Sequence, residues 1–501
     1  MIAVPRGSRP LGAAWHGQPI DCPCSLAQPS RKCDRAFFLL LVTVVTFVPS
    51  AADEIAGSVS ILRERFCPTL RVARIVLESD DSKRVELSFT GIVIAPDGLL
   101  AVPVPSALLD YPRGYIKNCE LLRPGRPNDA APGRLVGVNE LFGLAFIEPL
   151  TPVTSQPCVE FASADDLPSF GQPILCLGLL DQSLGFRCTF ETGRIGPEVG
   201  SDEFTISGVP TDATGTLLLT PAGRLVGVAR PPPMGDEEFL AKSEEPRGGG
   251  FIAQPQAARA RSLIRAVAFA IKERRDWPEP WIGVAGLQVA GRDICEAYGL
   301  PPDDVALVVG AVVDGYPAAQ AGLQPKDFVI KFNGNPLPRG ATDDETLAGW
   351  TRRLKHLAVG DTVALTIWRD GKARDVSLHL AEAPLNETKA ARDFNAALGL
   401  SVREIVFRDR FDRRLDRAQN GVVVANLVQS GPAESAELED GDIIQKIDDA
   451  AIPDFKTYRQ IITRKLAEHP AALVFAVRRG TSQQLILRVE LQPQSSRPET
   501  P

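Results

Sequence analysis

Histidine is the scarcest chemistry-bearing residue in this chain: its 501 residues include four, at positions 16, 356, 379 and 469. None lies between Asp53 and Trp281, so chemistry that needs an imidazole base or ligand has no such group of its own there. Positive charge is not in excess either. Lys and Arg number 55 against 62 for Asp and Glu, the formal net charge is -7 and the pI is near 5.4. With the basic residues scattered among acidic ones, this excludes the electrostatic footprint of a nucleic-acid binder. A membrane-spanning helix needs about 20 apolar residues, and the run AFFLLLVTVVTFV (Ala36 to Val48) falls short. There are nine cysteines, but no Cys-x-x-Cys pair with a second pair or histidines nearby, which argues against zinc. No cofactor is implied.

What is present is ordinary globular composition, 44% hydrophobic and 23% charged. The length suggests about three domains of roughly 150 residues. Arg31, Lys32 and Arg35 precede the apolar run, and Pro49-Ser50-Ala51-Ala52 follow it. Basic, apolar and small-residue regions in that order make a secretory signal, cleaved after Ala52. An uncleaved N-terminal anchor is the alternative, and only that would bring the chain to a membrane. Removal of residues 1–52 leaves Cys67, Cys119, Cys158, Cys176, Cys188 and Cys295. Cys176 and Cys188 sit in two neighbouring apolar runs, so a cross-strand bridge and a pair of buried free thiols both stay open.

From Arg71 to Arg230 the chain reads as many short strands separated by Gly and Pro: RVARIVL, then VELSFTGIVIAPDGLLAVPVP around an Asp97-Gly98 hairpin, then five more runs ending at TLLLTPAGRLVGVAR. That pattern predicts an all-β barrel or sandwich over 56–256. A loop insertion at 231–250 and a connector helix at 257–277 follow, the helix with Leu263, Val267, Ala270 and Ile271 on one face. The remainder is an internal repeat, 278–383 and 394–492, with a tail at 493–501. PAAQAGLQPKDFVIKFNG realigns with PAESAELEDGDIIQKIDD, pairing Pro317 with Pro432 and Asp327 with Asp442. Each copy then continues into an amphipathic helix and a hairpin, so the repeat is a duplicated domain and not a solenoid.

These residues resemble the HtrA/DegP family of exported trypsin-like serine proteases, which join a chymotrypsin-like double β-barrel to one or two PDZ domains. The resemblance implies a mainly β fold with two α+β PDZ modules. SFTGIVIAPDGLL is similar to the family strand before the catalytic histidine, and GRLVGV to a closing strand. Counted along that framework, the triad positions hold Pro105, Gly143 and Thr214, so none of the three is intact. Asp212 replaces a loop glycine of the oxyanion hole, placing a carboxylate where negative charge would develop. Without a base, a hydroxyl is a poor nucleophile. A threonine assisted by a lysine is the remaining catalytic option, and the barrel region offers Lys83, Lys117 and Lys242.

A PDZ domain adds a peptide strand beside its helix while loop N–H groups capture the terminal carboxylate. Trp281-Ile282-Gly283-Val284 fits that loop in the first copy, and Leu398-Gly399-Leu400, after Ala397, fits it in the second. The expectation is an exported pseudoprotease acting as a peptide-binding scaffold or chaperone-like quality-control factor. Its partners would be C-terminal or extended segments of envelope proteins, and the resemblance implies trimers, homomeric or mixed. The alternatives are an active serine-endopeptidase-type enzyme with an unrecognised base, and a regulatory subunit of an active relative.

Overall fold

The computed structural model describes residues 51–78, 84–109, 111–161, 168–199, 202–209, 214–230, 255–300, 305–416 and 420–491. The expected export signal, the insertion at 231–250, the tail and Asp212 lie outside them. Strands β1 (Leu70–Glu78), β2 (Arg84–Val93), β3 (Leu100–Pro103), β4 (Ile116–Arg123), β5 (Arg126–Asn139) and β6 (Leu144–Pro149) close a barrel in the order β1-β2-β3-β6-β5-β4. A second barrel closes from β7 (Pro173–Leu179), β8 (Cys188–Val199), β9 (Glu203–Ser207), β10 (Leu217–Leu219), β11 (Leu225–Ala229) and β12 (Gln256–Arg259). Closure leaves no unpaired edge. The Asp-Gly turn forms as expected: Gly98 takes φ +87°, its N–H donates to Ala95 O at 3.0 Å, and Ile92 pairs with Ala101.

Two strands escaped the apolar pattern. IKNCELLR and the first half of β5, RPNDAAPG, are too polar and proline-rich to read as strands, yet Cys119 pairs with Gly133 and Glu120 with Pro132. β4 buries only Cys119, Leu121 and Leu122, and the first half of β5 buries only Gly133, so neither needs an apolar run. The connector is also more than a connector. The helix Ala260–Glu273 buries Leu263, Ala266, Val267 and Ala270 in one core shared with Leu70, Ile92 and Phe146 of the first barrel and Leu175, Leu217 and Val228 of the second. Ile271, expected on that face, is 39% exposed instead. The i, i+3, i+4, i+7 spacing of the buried set selects the face.

The two repeats are built alike. Ala318 N–H donates to Ile282 O at 2.7 Å and Ala433 N–H to Leu398 O at 2.9 Å; Val313 donates to Gly283 O, and Val428 to Gly399 O, both at 2.9 Å. The paired aspartates of the repeat are structural. Asp327 and Asp442 are each 1% exposed and held bidentately by Arg369 (2.5 Å twice) and Arg479 (2.9 and 2.8 Å). The amphipathic helices are Asp343–Lys355, capped by the Thr342 hydroxyl, and Phe455–Ala467, capped by the Asp454 carboxylate. Trp350 and Leu354 are buried in the first, Tyr458, Ile461 and Ile462 in the second.

Candidate functional site

Two of the three positions counted along the triad framework meet in the first barrel, and the third stands in a turn of the second. Pro105 is buried just past β3, and Val104 N–H donates to Gly143 O at 2.9 Å, so Pro105 and Gly143 are neighbours. Thr214 is a half-buried turn residue. Gly215 after it donates to Ala229 O at 2.9 Å, next to Arg230. The Arg230 guanidinium then reaches back to the first barrel: one nitrogen lies 3.5 Å from where a Cβ on Gly143 would stand, and the group is ion-paired to Glu203.

A guanidinium therefore stands beside Gly143. Burial draws its pKa down from the ordinary value, but an arginine stays protonated in proteins and cannot accept a proton from a hydroxyl. Arg230 was not singled out in the sequence, because its approach to Gly143 is a contact between barrels. Of the lysines, Lys117 is exposed on β4 in a cavity with Arg113 and Arg134. Lys83 and Lys242 lie outside the described residues.

The two peptide loops differ more than their sequences do. In the first copy Ile282 and Val284 are buried and Gly283 takes φ +85°. A Cβ there would lie 2.2 Å from Tyr316 Cβ, so only glycine fits. Among the described residues, the N–H groups of Ile282 and Gly283 donate to no backbone carbonyl. Strand Val284–Ala285 pairs on one side with Ala311–Val312, and Gln288–Val289 on one side with Leu307–Val308. The half-buried Trp281 ring stands edge-on to Tyr316 at 4.7 Å and to Phe407 of the second copy at 5.4 Å.

In the second copy the equivalent strand, Leu400–Glu404, is paired on both sides. Val422–Leu427 holds one edge. The chain's own Arg392–Asn395 holds the other, with Arg392 opposite Arg403 and Asn395 opposite Leu400. Asp393 of that inserted strand meets Arg459 of the helix Phe455–Ala467 at 3.3 Å. The place beside the helix where a peptide would add is therefore filled from within. The loop donors are used as well: Leu398 N–H donates to Asn395 O and Gly399 N–H to Ala396 O, both at 3.3 Å.

Comparison with known proteins gives this geometry a context. The PDZ domain family matches residues 283–380, the first copy. A probable periplasmic serine endoprotease, DegP-like, of Hahella chejuensis is 26% identical over 375 residues, 71% of this chain and 72% of that protein. The protein of the same name from Pseudomonas fluorescens is 27% identical over 337 residues, 65% of each. Residues 283–380 are thus similar to a PDZ domain, and the chain is similar to DegP-like serine endoproteases. Solved structures it resembles include an HtrA-type protease AlgW with decapeptide, at 18% identity and TM-score 0.45, covering 66% of this chain and 99% of that one. A serine endoprotease from Yersinia pestis has 17% identity and TM-score 0.41, covering 67% and 99%.

The glycine pattern of the repeat has a physical cause. Gly322 (φ +78°) and Glu437 (φ +63°) are equivalent left-handed positions, and so are Lys326 (φ +73°) and Gly441 (φ +88°). Each repeat keeps one glycine and forces a side chain into the other turn.

Proposed function

We propose that this HtrA-family chain is an exported, non-catalytic scaffold that captures C-terminal or extended segments of envelope proteins on its first PDZ repeat. The observation carrying this is the contrast between the repeats: the first leaves loop donors and a strand edge unused, while the second fills both from its own chain. The match of the first repeat to the PDZ domain family supports the ligand class, and the periplasmic names of the relatives support export. The non-catalytic reading rests on a barrel sequence without histidine and on an arginine beside Gly143. Incubating the full chain with an unfolded protein, with Thr214→Ala as control, tests it. No cleavage by either is expected, and cleavage abolished by Thr214→Ala overturns the reading.

The relatives named serine endoproteases favour one other reading, an active enzyme. It requires a base other than histidine, which the barrel sequence lacks, and the same assay decides between the two.

A further inference from the structure

Cys176 and Cys188, which the sequence allows to bridge, are separated by register. Cys176 on β7 faces Glu191 across the ladder, and Cys188 on β8 faces Leu179. They also belong to different interiors. Cys176 is 2% exposed in the core of the second barrel, where burial pushes its thiol up to about 12. Cys188 instead packs on the core shared by the two barrels, beside a residue from the other end of the fold.

That residue is Cys67, in the single turn Cys67–Thr69 that joins the helix Ala51–Phe66 to β1. Both thiols are half-buried, pack on the same core, and share a hydrogen bond. Both also line a cavity of about 650 Å3 whose other walls include Arg63, Arg71, Arg123 and Arg187. From these contacts we infer that Cys67 and Cys188 form a disulfide in the exported protein, stapling the entry to the first barrel onto the second.

The surroundings assign the roles. The hydrogen bond from Cys188 first, and the charge of Arg63 with it, hold the Cys67 thiol below its ordinary range despite burial. Cys188 is pushed up, first by that same hydrogen bond and then by burial. A thiolate is the nucleophile in exchange. The Cys67 thiolate attacks one sulfur of a disulfide oxidant and expels the other as a thiolate, leaving a mixed disulfide at Cys67. Cys188 gives its proton to solvent and attacks Cys67 Sγ, expelling the second oxidant thiolate. The protein loses two protons and two electrons, and the oxidant gains them as two thiols. The oxidant is a protein or small-molecule disulfide of an oxidising compartment, and the open, arginine-lined cavity gives it access.

The bond would close a loop from residue 67 to residue 188, and long loops lose most denatured-state freedom when cross-linked. Full-length chain exported by a bacterial host is acid-quenched, denatured, treated with maleimide and digested without reduction. The expected product is a linked peptide pair carrying Cys67 and Cys188 unlabelled, with Cys119, Cys158, Cys176 and Cys295 labelled. Maleimide on both Cys67 and Cys188, or Cys188 linked to any other cysteine, overturns the inference. On melting, Cys67→Ser and Cys188→Ser should each lower Tm by roughly 5–10 °C, with the double variant no lower. Reductant should shift the wild type alone, and an equal shift in the variants contradicts the bond. If the variants do not fold, the labelling of the wild-type chain decides by itself.

Discussion

The two repeats share a buried Asp–Arg pair, a capped helix and the same pair of loop hydrogen bonds, yet one leaves a strand edge open and the other has filled it. The difference lies outside the repeated block. In the first copy the strand ahead of the loop, Pro280–Trp281, pairs away with Ala381–Glu382. In the second, the strand ahead of the loop folds directly onto Leu400–Glu404. The segment leading into it is also tied down: Lys389 bridges Glu140 of the first barrel (3.0 Å) and Glu279 (2.8 Å), and Arg392 donates to the Tyr115 hydroxyl at 3.1 Å. A duplicated framework can thus be kept for its fold while its binding edge is reassigned to an internal strand.

The likeness between the copies is broken hardest at the buried pairs. Arg369→Met and Arg479→Met each leave a nearly inaccessible carboxylate without its partner, and each should cost about 3 kcal/mol of stability in denaturant titration. Unequal losses would show that the two repeats do not share this support. The contrast in their grooves is attacked by Phe394→Pro, which introduces a residue that cannot donate to a ladder. The inserted strand should loosen, amides of Leu400–Glu404 should exchange faster, and peptide stoichiometry should rise from one to two. Unchanged exchange would mean that the strand is held by something other than pairing. The smallest effect is expected at the strained turns. Glu437→Gly and Lys326→Gly each relieve a left-handed side chain and should stabilise by about 1 kcal/mol, read as a rise in Tm.

Much of the framework was legible in sequence because it rests on local signals. Asp97-Gly98 marks a hairpin by its own turn chemistry, and the repeat declares itself by a constant offset from Pro317 to Pro432 and from Asp327 to Asp442. The candidate site was legible in part. Val104, next to Pro105, bonds to Gly143, whereas Arg230, which reaches Gly143 from β11's end, carries no sequence signal. The strand Arg392–Asn395 reads RDFN, too short and polar for a periodic pattern, and it becomes a strand only because an unpaired edge lies beside it. The meeting of Cys67 and Cys188 is likewise invisible in spacing, since two barrels must close before the thiols face each other.

The central claim is that peptide capture belongs to the first repeat. Calorimetric titration of the full chain with peptides ending in a free carboxylate, and with their C-terminal amides, tests it most directly when run on wild type, Gly283→Ala and Gly399→Ala. The predicted result is one site per chain for the free acid, at least about tenfold weaker for the amide, equivalent to roughly 1.4 kcal/mol. That site should be lost in Gly283→Ala and kept in Gly399→Ala. Binding that survives Gly283→Ala, or that disappears in Gly399→Ala, would contradict the account.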